Sequence, residues 1–339
     1  MTSDRPAADP KRVAVIGAGS WGTALAILAA RNHDDVRLWA RESEVAVSIQ
    51  TDRRNPFYLS DFELPKNITA TTSLELALDS ADVVLNVVPS HAVREVASAM
   101  KPFLTPDIVF VSATKGVENG TLMRMSQVVA DVMGFDLRFV ALSGPSFALE
   151  VARGYPTAVV AASADRNVAE MVQRALSSNQ FRIYSNVDVV GVELCGAVKN
   201  VVAIAAGVVR GLGFGTNSVA AIVTRGLAEI TRFAMAQGAA PETMPGLAGL
   251  GDLVLTCTGD LSRNRRVGIE LGRGRKLADI LSEMREVAEG VKTTRAIYEL
   301  SRRLKVDMPI ISSTYALLYE DKPALEAASA LMERPLKRE

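Results

Sequence analysis

Residues 13–26 read VAVIGAGSWGTALA, and this stretch decides the fold. A short apolar run leads straight into Gly17, Gly19 and Gly22, spaced G-x-G-x-x-G, and a periodic apolar stretch follows. The spacing alone says little. Directly after a strand and at the start of a helix, it marks the phosphate turn of a βαβ unit. Gly17 permits the tight turn, Gly19 keeps a Cβ out of the way of a pyrophosphate, and Gly22 lets helix and strand pack closely. The helix start offers N–H groups and a partial positive charge to the anion, with Ser20 and Trp21 facing the same space.

Outward from the turn, β-branched runs predict strands at residues 12–16, 35–39, 81–88, 107–113 and 138–142, with 157–161 and 181–185 extending the sheet. The run ADVVLNVV ending at Pro89 has the continuous apolar character of a strand buried on both faces. A helix is predicted over 21–32. Strands alternating with amphipathic stretches imply a parallel sheet covered by helices on both faces. From Gly191 onward helical periodicity takes over, at 192–210, 218–237, 265–271, 277–288, 293–304 and 312–318. The predicted fold is α/β: an N-terminal Rossmann-type doubly wound sheet followed by an all-α C-terminal domain. Residues 1–10 form a disordered extension, 11–189 a dinucleotide-binding domain, and 190–335 a helical substrate and catalytic domain.

A chain of 339 residues accommodates two such domains. Lys+Arg and Asp+Glu each number 38, so no global field favours nucleic acid or an anionic membrane. Two cysteines, Cys195 and Cys257, far apart, suggest no disulfide and fit a reducing, cytoplasmic setting. With only His33 and His91 beside them, no metal site is expected. The polar start lacks the apolar core of a signal peptide. The apolar run at 201–209 is far shorter than the ~20 residues a membrane span needs.

Polar residues inside apolar segments of the second half point to chemistry. Lys199-Asn200 interrupts GVELCGAVKNVVAIAAGVV, Asp252 stands within GLAGLGDLVLTCT, and SRNRR occupies 262–266. A carbonyl reduction needs a hydride source, a proton donor at the developing alkoxide, and anchors for the rest of the substrate. Burial would lower the pKa of Lys199 and make it that donor, with Asp252 orienting its ammonium. Ser262, Arg263 and Asn264 bring charge and several donors together, which suits a phosphate. Structural readings stand beside these: a lysine snorkelling from a core helix, an aspartate capping a helix, a solvated basic face. In the first half, Lys115 and the turn at 143–146 follow strands at the carboxyl edge of the sheet, where ligands bind in such folds. Arg41 stands near the place where NAD-binding chains carry an acidic residue, and a guanidinium suits a 2′-phosphate; the cofactor is NADPH or NADH, with NADPH favoured.

The ordered set GAGSWGTALA, VVPSH, ATKGVE, LSGPSFALEV, GVELCGAVKNVVAIAAG, IVTRGLAEI, GLAGLGDLVLTCT, SRNRRVG and VAEGVKTT strongly resembles the bacterial NAD(P)-dependent sn-glycerol-3-phosphate dehydrogenases. It covers nearly the whole chain after the first ten residues or so. The resemblance implies reversible reduction of dihydroxyacetone phosphate to sn-glycerol 3-phosphate, supplying glycerophospholipid synthesis. It implies Lys199 as catalytic acid/base, and substrate contacts at Lys115, Gly144, Ser146, Lys199, Asn200, Asp252, Ser262, Arg263 and Asn264. The cofactor would meet Gly17, Gly19, Ser20, Trp21, Gly22, Arg41, Lys115, Ala148, Arg263, Val287 and Glu289, and a homodimer is implied. This chain departs from some relatives in placing Glu42 after Arg41, and in carrying Cys195 where glycine is common. Two rival readings are a sister reductase acting on another small acid or sugar acid, and a dinucleotide-binding redox sensor without turnover. The sensor gives no reason for Lys199, Asp252 and the 262–264 cluster to coexist.

Overall fold

The computed structural model describes residues 10–284 and 288–335. These fall into two compact units, one of Met1–Thr114 and Met125–Val189, the other of Lys115–Arg124 and Val190–Glu339.

The first unit is built on eight strands: β1 (Arg12–Ile16), β2 (Asp35–Trp39), β3 (Ile68–Thr71), β4 (Val83–Asn86), β5 (Val109–Ser112), β6 (Arg138–Ser143), β7 (Thr157–Ala162) and β8 (Phe181–Asn186). Their order is β3-β2-β1-β4-β5-β6-β7-β8. The first six are mutually parallel, in the doubly wound arrangement that reverses between β1 and β4. β7 runs antiparallel to β6, and β8 runs parallel to β7. Val13, Ala14, Val15 and Ile16 have no exposed surface, as expected of a strand covered on both faces. Edge strand β3, with the sequence ITAT and one exposed position, lies outside the strands predicted from sequence. Helix α1 (Ser20–Ala29) ends before the predicted residue 32. Arg31 N and Asn32 N reach back three residues to Leu28 O and Ala29 O, and the Asn32 amide donates to Ala175 O and Ser177 O. That side chain closes the helix rather than continuing it. Helices α2 (Ser43–Asp52), α3 (Leu74–Leu78), α4 (Val93–Met100), α5 (Met125–Met133), α6 (Ala148–Ala152) and α7 (Arg166–Leu176) complete the unit.

The second unit is helical: α8 (Val189–Gly211), α9 (Thr216–Met235), α10 (Asp252–Thr258), α11 (Arg263–Gly272), α12 (Leu277–Ser282), α13 (Glu289–Arg303), α14 (Pro309–Tyr319) and α15 (Ala324–Met332). The predicted helix at 277–288 is shorter, ending at Ser282. α8 extends well beyond the apolar run at 201–209: its 23 residues are long and apolar enough to cross a membrane, yet 89% of an 18-residue apolar stretch within it is buried in the protein. It is the core helix of the unit. α11 crosses it at backbone contact, since a Cβ on Gly207 would lie 2.1 Å from Arg265 O and one on Gly268 2.0 Å from Ile204 O. The segment Lys115–Arg124, expected with the first domain, belongs to this unit. Val117 and Leu122 are buried in its apolar core, and Lys115 and Arg124 pair with Asp252 and Glu193.

Candidate active site

In the sheet unit, the glycine turn has the geometry its spacing requires. Gly17 adopts φ +113°, and its N–H donates to Trp39 O. A Cβ on Gly22 would fall 1.7 Å from Gly17 O, so no other residue lets α1 approach β1 this closely. At Gly19 a Cβ would meet nothing within 4 Å. The protein leaves open space over this turn, at the start of a helix with no side-chain cap and no acidic residue in its first turn. That space and polarity fit a pyrophosphate. Asn55, fully buried, donates to Ala18 O and Thr23 Oγ1 and accepts from Phe57 N and Tyr58 N. It ties the turn to the segment after α2, and no periodicity in the sequence announces it.

The other first-unit candidates take separate places. Trp21 packs partly buried against the sheet's apolar core. Arg41 follows β2 with its side chain 81% exposed, paired to Glu42 at 2.7 Å, which holds its guanidinium above the usual arginine range. Gly144, just past β6, adopts φ +139°, and a Cβ there would lie 2.8 Å from Val159 Cα. Ser146 Oγ donates back to Gly144 O at 2.9 Å, and Ala148 opens α6. The turn at 143–146 is thus fixed at the carboxyl end of its strand.

The helical unit brings Lys115, Lys199 and Asp252 together. Gly249 lies in a π-helical turn, Leu247–Gly251, against Met244 O, and this turn feeds directly into α10. Asp252 is the first residue of that helix, and it does not cap it. Its carboxylate is fully buried and holds two ammonium groups, Lys199 Nζ at 2.5 Å from Oδ1 and Lys115 Nζ at 2.7 Å from Oδ2. Lys199 Nζ also donates to Thr256 Oγ1 at 2.8 Å, and that hydroxyl donates to Asp252 O at 2.6 Å. Burial brings the Lys199 pKa down to about 8; Asp252 opposes this, while the nearby Lys115 charge adds to it. Thr256, one helical turn after Asp252, is absent from the sequence-based candidates. The same burial pushes the Cys257 thiol up to about 12, which leaves it a small buried hydrophobe.

Beside this cluster runs an amide chain. Asn264 Nδ2 donates to Asn200 Oδ1 at 3.0 Å, and Gly290 N donates to Asn264 Oδ1 at 2.9 Å. α8, α11 and the start of α13 are joined through it. Ser262 Oγ accepts from Arg265 N and so caps α11, whose first residue, Arg263, is half-buried. Glu289 opens α13, half-buried, while Val287 lies outside the described residues.

A doubly wound sheet with an open phosphate turn, followed by a helical unit, is the plan of a dinucleotide-dependent dehydrogenase. Two family models match, described as the N-terminus and the C-terminus of NAD-dependent glycerol-3-phosphate dehydrogenase, over residues 12–169 and 188–329. The chain belongs to that family. A protein of Koribacter versatilis named glycerol-3-phosphate dehydrogenase (NAD(P)+) is 57% identical over 328 residues, 96% of this chain and 97% of its own length. One of the same name from Geobacter sulfurreducens is 54% identical over 97% of this chain and 99% of its own. The crystal structure of glycerol-3-phosphate dehydrogenase from Coxiella burnetii superposes with a TM-score of 0.92 at 40% identity, over 96% of this chain and 99% of that one.

Proposed function

We propose that this chain reversibly reduces dihydroxyacetone phosphate to sn-glycerol 3-phosphate with NAD(P)H. The observation that carries the reading is the buried Lys199 ammonium on a carboxylate shared with Lys115. The names carried by its relatives support the substrate. When bound, the dihydronicotinamide supplies the hydride. Lys199 supplies the proton to the carbonyl oxygen as charge develops there. Two of its three N–H groups are engaged by Asp252 Oδ1 and Thr256 Oγ1, and the third is the one for the substrate. Lys115 adds a second positive charge that favours the developing oxyanion. Arg263 and the N–H groups at the start of α11 bind the phosphate, with Ser262 and Asn264 beside them. Asn200 orients Asn264 by accepting a hydrogen bond from its side-chain amide.

Gly17, Gly19, Ser20, Trp21 and Gly22 cradle the pyrophosphate, and Arg41 exchanges Glu42 for a 2′-phosphate, which favours NADPH over NADH. Gly144, Ser146, Ala148, Val287 and Glu289 complete the contacts in this proposal. It extends to a cytoplasmic homodimer that feeds glycerophospholipid synthesis, as the resemblance implies. The test is the rate of NADPH and NADH oxidation with dihydroxyacetone phosphate and with its unphosphorylated analogue. Strong preference for the phosphorylated ketone is expected; equal rates with both, or none with either, overturn the assignment.

A further inference from the structure

Lys115 reaches Asp252 from a strap, Lys115–Arg124, rather than from a helix. The strap closes on itself. Val117 and Arg124 pair as an antiparallel bridge, Glu118 N donates to Met123 O, and Thr121 Oγ1 donates to Glu118 Oε2. Leu122 is held at φ +62°, a left-handed conformation that a leucine keeps only where its surroundings impose it. Its side chain and that of Val117 are sunk in the apolar core around α8. One end of the strap carries Lys115. The other carries Arg124, whose guanidinium meets Glu193 Oε2 at 2.5 Å. Their side chains are only 14% and 5% exposed. Glu193 lies on α8, on the same helix as Lys199. A guanidinium and a carboxylate so far from water hold each other, because a buried charge is costly without an opposite one close by.

We propose that Arg124 and Glu193 are positioning residues of the active site: their ion pair clamps the strap to α8 and so holds the Lys115 ammonium on Asp252. The proposal rests on the reading of Lys199 as proton donor. The groups that face Lys199 are Asp252, Thr256 and Cys257 from α10 and Lys115 from the strap. With the strap clamped, Lys199 shares its counter-ion and feels a like charge nearby. With the clamp removed, Lys115 moves away, Asp252 serves Lys199 alone, and the proton is held more tightly. Removal of the Arg124 charge by itself would also raise the midpoint, and removal of the Glu193 charge by itself would lower it, so the double variant, which removes both charges together, separates positioning from simple charge removal.

The experiment titrates Lys199 directly, by NMR of protein carrying 13C-labelled lysine, without cofactor or substrate, its resonance assigned with Lys199→Arg. In Arg124→Met, and in Arg124→Met combined with Glu193→Gln, the midpoint is expected to rise by roughly half a unit or more. Arg124→Lys, which keeps the charge, should rise less. In kinetics the KM for dihydroxyacetone phosphate should increase by about fivefold or more. A midpoint that is unmoved or lowered in the folded double variant, Arg124→Met with Glu193→Gln, overturns the proposal. Should that variant not fold, Arg124→Lys decides alone: a rise supports the clamp, an unmoved or lowered midpoint overturns it. A raised midpoint in a chain that never turns over dihydroxyacetone phosphate would leave the clamp standing and remove only the functional reading.

Discussion

Lys199 Nζ stands 2.5 Å from Asp252 Oδ1, and both side chains are closed off from all but a trace of water. Desolvating two opposite charges is costly, and apolar residues of the same size often serve stability as well. A fold that keeps such a pair, and adds Lys115 to it, is holding a proton where water cannot compete for it.

Lys199→Ala removes the proposed proton donor and leaves the glycine turn untouched. Turnover is expected to fall by about two to four orders of magnitude. Binding of NADPH, followed by fluorescence titration, should be nearly intact. Near-normal turnover would refute the assignment of Lys199.

The lowered pKa of Lys199, about 8, dictates opposite pH responses in the two directions. Ketone reduction needs the ammonium, so its kcat/KM should fall as pH rises through about 8. Alcohol oxidation needs the neutral amine and should rise through the same value. The sign for stability follows as well. The native state binds fewer protons than the unfolded chain between about 8 and the ordinary 10.5, so this lysine's contribution to stability rises with pH across that window. Rate profiles measured in both directions test it, and limbs of the same sign would contradict it.

Gly19 and Gly22 separate binding from folding. Gly19 has φ −72° and open space at its Cβ, so Gly19→Ala should leave the melting temperature unchanged while weakening dinucleotide binding at least about tenfold. Gly22→Ala places a methyl 1.7 Å from a backbone oxygen and should lower the melting temperature as well. Thermal scans with and without NADPH distinguish the two, and equal destabilisation by both would count against the open turn as the pyrophosphate site.

Arg41→Ala should raise the KM for NADPH far more than that for NADH. Its exposed pair with Glu42 is worth at most about 1 kcal/mol, a small barrier to releasing the guanidinium to a phosphate. Steady-state kinetics with both cofactors give the answer; equal effects on the two would remove Arg41 from the 2′-phosphate site.

Strands β1 and β4–β7 are legible in the sequence because burial on both faces leaves largely apolar runs, and β2 and β8 through the alternation of buried with less buried positions. β3 is not, since its four residues, ITAT, lie at an edge and half of that pattern meets solvent. Lys199 and Asp252 stand out as charges among apolar neighbours. Thr256 does not, because hydroxyls are common on helices, and only its place four residues after Asp252 hints at a shared face. That Lys115 joins them is implied only by the resemblance, for 137 residues separate it from Asp252 and no local pattern encodes the meeting. Ser262 is legible by type, but its place as the cap of α11 is not, and the structure shows its hydroxyl accepting from Arg265 N.

The strap makes the molecule difficult to divide. A fragment starting at residue 190 would inherit the aspartate but only one of its two cations, the other left behind on the piece that carries the glycine turn. Any chimera that grafts this helical half onto a foreign nucleotide module must therefore transplant residues 115–124 with it, even though they are threaded through the other half of the gene.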